Sequence, residues 1–340
     1  MYIPLNLTNR YTNSDGIFRR VLAGDIGGTK SNLAVFEFKG SQFRVLKEVR
    51  LQTKDFKDAK TMISSFLSGD EQLDAISLGV AGPVTGDSVH ITNLSWGMNV
   101  KDISAANNHM PVHLINDLEA TSYGLGLLTP EEVYSLYEPE TEVTGNIALI
   151  APGTGLGESG LYFDGESYHP FATEGGHCDF APRTPLDTVL FFHLSHKFGH
   201  VSWERVISGS GIVMIFDFLS TQTGREIPPP LQQLIGSGDK AKIITDHAAL
   251  YSICQETLVL FLRYLAVESS NLALKMKATG GIFIGGGIIP KIIDKIDPGV
   301  FLENFRNCGR LSTLLRDIPI RIILNERTAL LGAAYYGVCK

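Results

Sequence analysis

Apolar and polar positions along the chain fall into two recurring textures. One is a short run of apolar, β-branched and aromatic residues that ends in a glycine turn; the other is a longer stretch with helical spacing. Arg20–Ile26 is a short β-prone run, and "SNLAVFEF", after "AGDIGGTKS", has the content of a second strand. "AISLGVAGPVTGDSVHITN" reads as an apolar strand, turns at Gly82-Pro83 and Gly86-Asp87, and an alternating strand from Ser88 to Thr92. "VHLIND" is a further buried strand, and "LEATSYGLGLL" follows it with helical spacing. "NIALIAPGTGLGESGLYFDG" again gives strand, glycine turn and strand. Residues 240–278 read as mainly helical with apolar residues on most faces, the mark of a buried helix. "GGIFIGGGIIPKIIDKI" reads as strand, triple glycine and helix, with Pro290 tolerable in the first turn.

Two glycine motifs imitate nucleotide fingerprints. In "AGDIGGTKS", Gly24 is followed by Thr29-Lys30-Ser31, so a threonine stands where a Walker A loop needs its second glycine. Such a loop must also deliver phosphate to a helix N-terminus, whereas Leu33–Phe38 is rich in strand formers and closed by Lys39-Gly40. The segment is therefore strand, glycine turn and strand. Gly155-x-Gly157-x-x-Gly160 spells the dinucleotide fingerprint, but "LYFDG" after it is again a strand ending in a turn. With Gly27 placed over Gly155, Ser31 matches Ser159 and Leu33 matches Leu161. The same hairpin thus recurs about 128 residues on, which points to a duplicated α/β fold.

A length of 340 residues allows two domains, and 44% hydrophobic with 19% charged residues is the composition of a soluble globular protein. Apolar runs such as Ala148–Ala151 and Ile282–Ile284 are too short to cross a bilayer, and the N-terminus lacks a signal-peptide block, so no membrane role and a cytoplasmic address are expected. The four cysteines form no CxxC pair, which argues against a disulfide framework or a structural zinc site. A formal charge of −7 gives no basic footprint for nucleic acid but leaves phosphate-bearing small molecules open. His193, His196 and His200 fall at helical spacing, yet Phe191, Phe192, Leu194 and Phe198 are interleaved and no acidic or sulfur partner is built in. An ordinary helix face is the better reading there than a metal site.

Glycine turns suit phosphate because the missing Cβ lets backbone N–H groups approach the oxygens. Two such turns facing each other would hold a triphosphate, and Asp25 at the mouth of the first suits Mg²⁺, directly or through water. The third cluster, Gly285-Gly286-Gly287, offers bare backbone to a base or ribose. Asp117 has two compatible readings: the N-cap of the helix after it, and a carboxylate at a strand's carboxyl end, where α/β proteins bind ligands.

Taken together, "LAGDIGGTKSNLAVF", "GVAGPVTGDSVHITNLSW", "LINDLEATSYG", "APGTGLGESG", "TEGGHCDFAPR", "HVSWERVISGSGI" and "GGIFIGGGIIP" resemble the bacterial-type ATP-dependent glucokinases, of the sugar kinase, heat-shock protein 70 and actin superfamily. The matches run in the family's order from residue 21 to about 335. The glycine motifs are shared across the superfamily, whereas "EGGHxDFAP" with "HVSxERVxSG" is specific to this group. The resemblance implies a duplicated two-domain, ribonuclease H-like (actin/hexokinase-type) α/β fold with an interdomain cleft. Its expected parts are an N-terminal extension over 1–19, a small domain over 20–120 plus 327–340, and a large domain over 121–326.

It also implies phosphorylation of D-glucose at the 6-hydroxyl by ATP with Mg²⁺, by a homodimer. Carried over position by position, Asp117 is the general base, and Asn116, Glu174, His177 and Glu204 bind the sugar's other hydroxyls, with Asn93 a weaker member of that set. Asp25, Gly27, Gly28, Thr29, Gly153, Thr154 and Gly155 surround the phosphates, with Asp25 toward Mg²⁺, and Gly286 and Gly287 lie near adenosine. The alternatives are a kinase for another hexose on the same fold, which would differ only around Asn93, Glu174, His177 and Glu204, and a sugar-sensing regulator without transfer activity. The regulator needs a DNA-binding helix–turn–helix, for which the N-terminal extension is too short.

Overall fold

The computed structural model describes residues 18–39, 42–69, 71–90, 96–141 and 143–340. The chain divides into two compact units, one of residues 1–133, 160–172 and 325–340, the other of residues 134–159 and 173–324. In the first, β1 (Arg19–Ile26), β2 (Lys30–Lys39) and β3 (Gln42–Gln52) form an antiparallel meander, with Asp25 opposite Asn32 across the first hairpin. After α1 (Ala59–Phe66), strand β4 (Ala75–Val80) lies parallel to β1. Strands β5 (Val84–Thr85), β6 (Ser88–His90) and β7 (Gly97–Asn99) make a small separate sheet. Helix α2 (Val100–Ala106) leads into β8 (Val112–Asn116), parallel to β4, and α3 (Asp117–Gly124) starts directly from it. The main sheet has the order β3-β2-β1-β4-β8. Strands β1 and β4 read as near-continuous apolar runs because both are buried along almost their whole length, as parallel strands covered on two faces are.

A second sheet repeats this order, and its residues 160–172 are counted with the first unit. After β9 (Val133–Tyr137), the strands β10 (Ile147–Pro152), β11 (Leu156–Phe163) and β12 (Tyr168–Thr173) follow one another, and β13 (Gly281–Ile284) and β14 (Ile320–Ile323) extend the sheet in parallel from β10. The order β12-β11-β10-β13-β14 matches that of the first sheet, with β9 added at the far edge. Between β12 and β13 the chain builds α4 (Pro185–Phe198), α5 (Gly209–Gln222), α6 (Pro229–Ser237), α7 (Lys240–Asp246) and α8 (Ser252–Met276). Helix α9 (Pro298–Arg306) and the short α10 (Ser312–Arg316) precede β14. Helix α8 is long and apolar enough to span a membrane, unlike the short runs weighed from sequence, but most of that stretch is buried, its Phe261 in one core with Trp203 and Phe216. Each such side chain, fully removed from water, contributes about 1.5–3 kcal/mol, so α8 is a core helix.

The first unit runs past residue 120, to Val133, and α3 packs tightly on the last helix, α11 (Thr328–Cys339). A Cβ on Gly332 of α11 would collide with the Ala120 carbonyl, and one on Gly124 with that of Thr328. This close approach binds α3 to the first unit. The stretch after the triple glycine is a 3-10 segment, Ile289–Lys295, interrupted at Ile292, rather than an α-helix. Ile289, Ile292 and Ile296 are all buried, and the segment bends to bury all three before α9 begins.

Candidate functional site

In the first unit the parallel strands β1, β4 and β8 place Asp25, Val80 and Asn116 at one edge of the sheet, the carboxyl edge, where open α/β sheets bind ligands. Gly27, Gly28 and Thr29 form the β1–β2 turn, closed by a Gly27 N–H to Lys30 carbonyl bond of 3.1 Å. Thr53 braces the turn from outside, donating its N–H to the Thr29 carbonyl (3.0 Å) and its hydroxyl to the Gly27 carbonyl (2.8 Å). Those two carbonyls are thereby occupied by donors of the protein. Asp25 is partly buried and accepts from the Asn32 amide (3.2 Å). Burial raises its pKa against the lowering pull of Asn32 and Arg50, so a cation beside it would restore the charged form.

Asn116 is the cap of α3: its Oδ1 accepts from Leu118 N–H (2.9 Å) and Glu119 N–H (3.3 Å). Its Nδ2 donates to the Gly82 carbonyl (3.2 Å), which leaves the second N–H for another acceptor. Asp117 is thus the first residue of the helix rather than its cap, and its Oδ1 accepts from Leu118 N–H at 3.0 Å. Asn93 lies outside the described residues.

In the second unit, Gly153, Thr154 and Gly155 form the β10–β11 turn, with Gly153 N–H donating to the Gly155 carbonyl (2.8 Å). The Gly153 carbonyl accepts from Gly209 N–H (2.9 Å) at the start of α5. Leu156, the next residue, joins this turn to the sugar-binding candidates. Its N–H donates to Glu204 Oε2 at 2.9 Å, and that oxygen fills the space a Cβ on Gly155 would need. Its carbonyl lies where a Cβ on Gly176 would be, so the turn Glu174–His177 rests on the same residue. Residues 178–180 then run beside 201–203, through Phe180 N–H to the Val201 carbonyl (2.9 Å) and Trp203 N–H to the Cys178 carbonyl (3.0 Å). This ties the exposed Glu174 and His177 to the 3-10 turn that carries Glu204. Gly286 has φ +79° and sits against the Pro152 backbone, while Gly287 is open on its Cβ side, so the triple glycine borders the phosphate turn.

A sequence-family model described as Glucokinase matches residues 22–338. The chain belongs to the glucokinase family. The chain is 35% identical over 333 residues to a glucokinase of Trichormus variabilis, covering 92% of this chain and 97% of the relative. Among solved structures, a glucokinase from an Antarctic psychrotroph superposes with a TM-score of 0.79 at 28% identity, covering 95% of this chain and 100% of the other. A ROK-family glucokinase of Streptomyces griseus, solved with glucose and AMPPNP, shares the fold with a TM-score of 0.61 at 20% identity, covering 94% and 100%. The two α/β units are accordingly those of the actin/hexokinase-type fold, and this glucokinase-family chain is an enzyme.

The three histidines weighed for a metal do not converge. His196 Nδ1 bonds the Phe192 carbonyl (2.6 Å), His193 lies beside the Phe218 ring, and His200, beyond the end of α4, pairs with Asp179 (2.9 Å). Among the described residues no group of three or more His, Cys, Asp or Glu side chains is placed to hold a metal. Sequence reasoning passed over Thr53, Gly209 and Glu158. Gly209 acts through its backbone N–H, and Thr53 through its N–H and hydroxyl on a turn far from it in sequence, which no residue-type motif announces.

Proposed function

We propose that this glucokinase-family enzyme transfers the γ-phosphoryl group of ATP to the 6-hydroxyl of D-glucose. The observation that carries the reading is Leu156: one residue ends the phosphate turn, binds the Glu204 carboxylate and seats the Glu174–His177 turn. Such coupling suits a reaction in which phosphoryl donor and sugar must be positioned together, because phosphoryl transfer is mostly positioning and charge stabilisation. Glu174, His177, Glu204 and Asn116, with Asn93 a weaker member, are the residues offered to the sugar hydroxyls. Carboxylates accept from two hydroxyls at once, and the amides and imidazole donate or accept. Asp117 orients the 6-hydroxyl and takes its proton as the sugar oxygen bonds to the γ-phosphorus and the bond to the β-phosphate oxygen breaks, releasing ADP.

Gly27, Gly28 and Thr29, and likewise Gly153, Thr154 and Gly155, border the phosphates: the N–H groups of Gly28, Thr29, Thr154 and Gly155 face them while those of Gly27 and Gly153 close the turns, and Gly286 and Gly287 lie against adenosine. Mg²⁺ fits the partly buried Asp25, since it is commonly held by one or two carboxylates plus substrate phosphates. When bound, it neutralises charge on the β- and γ-phosphate oxygens. The proposal includes a cytoplasmic homodimer, with the exposed Val259 of α8 and Val300 of α9, beside a groove of about 400 Å³, as its surface. Sedimentation velocity at micromolar concentration tests it: a monomer there removes the dimer.

Release of ADP from Mg·ATP is to be measured without sugar and with glucose, mannose, fructose or N-acetylglucosamine. Strong stimulation by glucose alone is expected; equal or greater stimulation by another hexose would reassign the acceptor, and release indifferent to sugar would overturn the kinase reading.

A further inference from the structure

Glu158 is a buried acid that neither the phosphate turn nor the sugar set uses. It lies inside β11, 1% exposed, and neither carboxyl oxygen has a hydrogen-bond partner. The turn Glu174–His177 lies over it. A Cβ on Gly175 would collide with Glu158 Oε2, so the glycine backbone rests directly on the carboxyl group, and Thr173 fastens the approach by donating its hydroxyl to the Glu158 carbonyl (2.9 Å). From α8 comes Glu268, wholly buried, which accepts from Asn271 (2.7 Å) and Lys275 (3.4 Å). Asn271 in turn accepts from Arg183 at 3.2 Å, so the segment 173–183 meets this acidic pair at both of its ends. An ionised carboxylate has no donor here, and burial with the charge of Glu268, partly offset by Lys275, pushes the Glu158 pKa up to about 8.

We propose that Glu158 is a positioning residue for sugar binding: its neutral carboxyl group is the seat of the Glu174–His177 turn, and ionising it unseats that turn. This rests on the assignment of Glu174 and His177 to the sugar. Ionisation would place a negative charge beneath a turn that carries Glu174 and His177, and beside Glu268. The nearby cations, Lys275 and Arg183, are already engaged by Glu268 and Asn271. Water or a counter-ion must then enter between β11 and the turn, which displaces Gly175. The phosphate turn, tied to Gly209 through Gly153, does not rest on this carboxyl group.

The test is the pH dependence of the KM for glucose and the KM for ATP, measured side by side for the wild type and Glu158→Gln. In the wild type, the glucose KM should rise above about pH 8, approaching tenfold per pH unit, with the ATP KM steady; in Glu158→Gln it should stay within about twofold across that range. A second measurement needs no variant. Calorimetric glucose binding in two buffers of different ionisation enthalpy, near pH 9, should show the wild type taking up close to one proton per glucose. A flat wild-type profile, the same alkaline rise in Glu158→Gln, a parallel rise for ATP, or no proton uptake would each overturn the role of Glu158 while leaving the kinase reading standing. Failure of the wild type to bind glucose at pH 7 would instead remove the sugar assignment and this proposal with it.

Discussion

Leu156 is an aliphatic residue whose functional work is done by its backbone. Its N–H engages Glu204 and its carbonyl lies under Gly176, so the phosphate turn and the sugar-binding turn share one anchor. The consequence separates two carboxylates that look alike in sequence. The tie to Leu156 runs through the Gly176 backbone and not through the exposed Glu174 side chain, so Glu174→Gln should raise the KM for glucose and leave that for ATP unchanged. Glu204→Ala also removes the acceptor of Leu156 N–H, and hydrogen bonds to charged groups contribute about 1.5–3 kcal/mol, so it should raise both constants by about tenfold or more. Steady-state kinetics with each substrate varied in turn checks both. An unchanged ATP KM in Glu204→Ala would separate the two turns.

At the scale of elements, the glycine turns were legible because strand-forming residues follow each of them; "LAVFEF" and "LYFDG" excluded the helix that a Walker A or dinucleotide site needs. Helix α3 was legible from its spacing, but its cap was not. Asp117 and Asn116 both make good caps, and only the bonds from Asn116 to Leu118 and Glu119 decide between them. The joining of α3 to α11 could not be read either, since it depends on Gly124 and Gly332 coming face to face from positions far apart in the chain. Glu158 looked like an ordinary strand residue, and only the fold places Gly175 and Glu268 against it. Gly332→Ala tests the helix contact. Its methyl group meets backbone rather than a flexible side chain, so the helices must separate, at a cost of about 1–3 kcal/mol. Urea denaturation should show that loss; a midpoint equal to wild type would mean the contact relaxes freely.

For the whole molecule, Glu158 makes stability depend on pH in a fixed direction. Its pKa in the folded chain is about 8, above the 4.5 of the unfolded chain, so folding takes up a proton between those values. The stabilising contribution is fully present below pH 4.5 and is lost as pH rises through about 8, with a limiting slope of about 1.4 kcal/mol per pH unit. Glu268 and Asp25, also raised by burial, act in the same direction. Glu71 and Asp164, held near 2 by backbone N–H groups, act oppositely and withdraw their contribution only in acid. The urea midpoint should therefore fall between about pH 6 and about pH 8.5, and Glu158→Gln should flatten that fall. Parallel falls in both proteins would show that Glu158 ionises freely on folding.

The proposed reaction turns on Asp117 as the carboxylate that accepts the proton. Its most direct test is Asp117→Asn, with turnover measured in the coupled assay and glucose affinity by calorimetry. The account predicts a fall in kcat of about 10²–10⁴-fold with glucose affinity kept within about threefold. Turnover within a few-fold of wild type would contradict it.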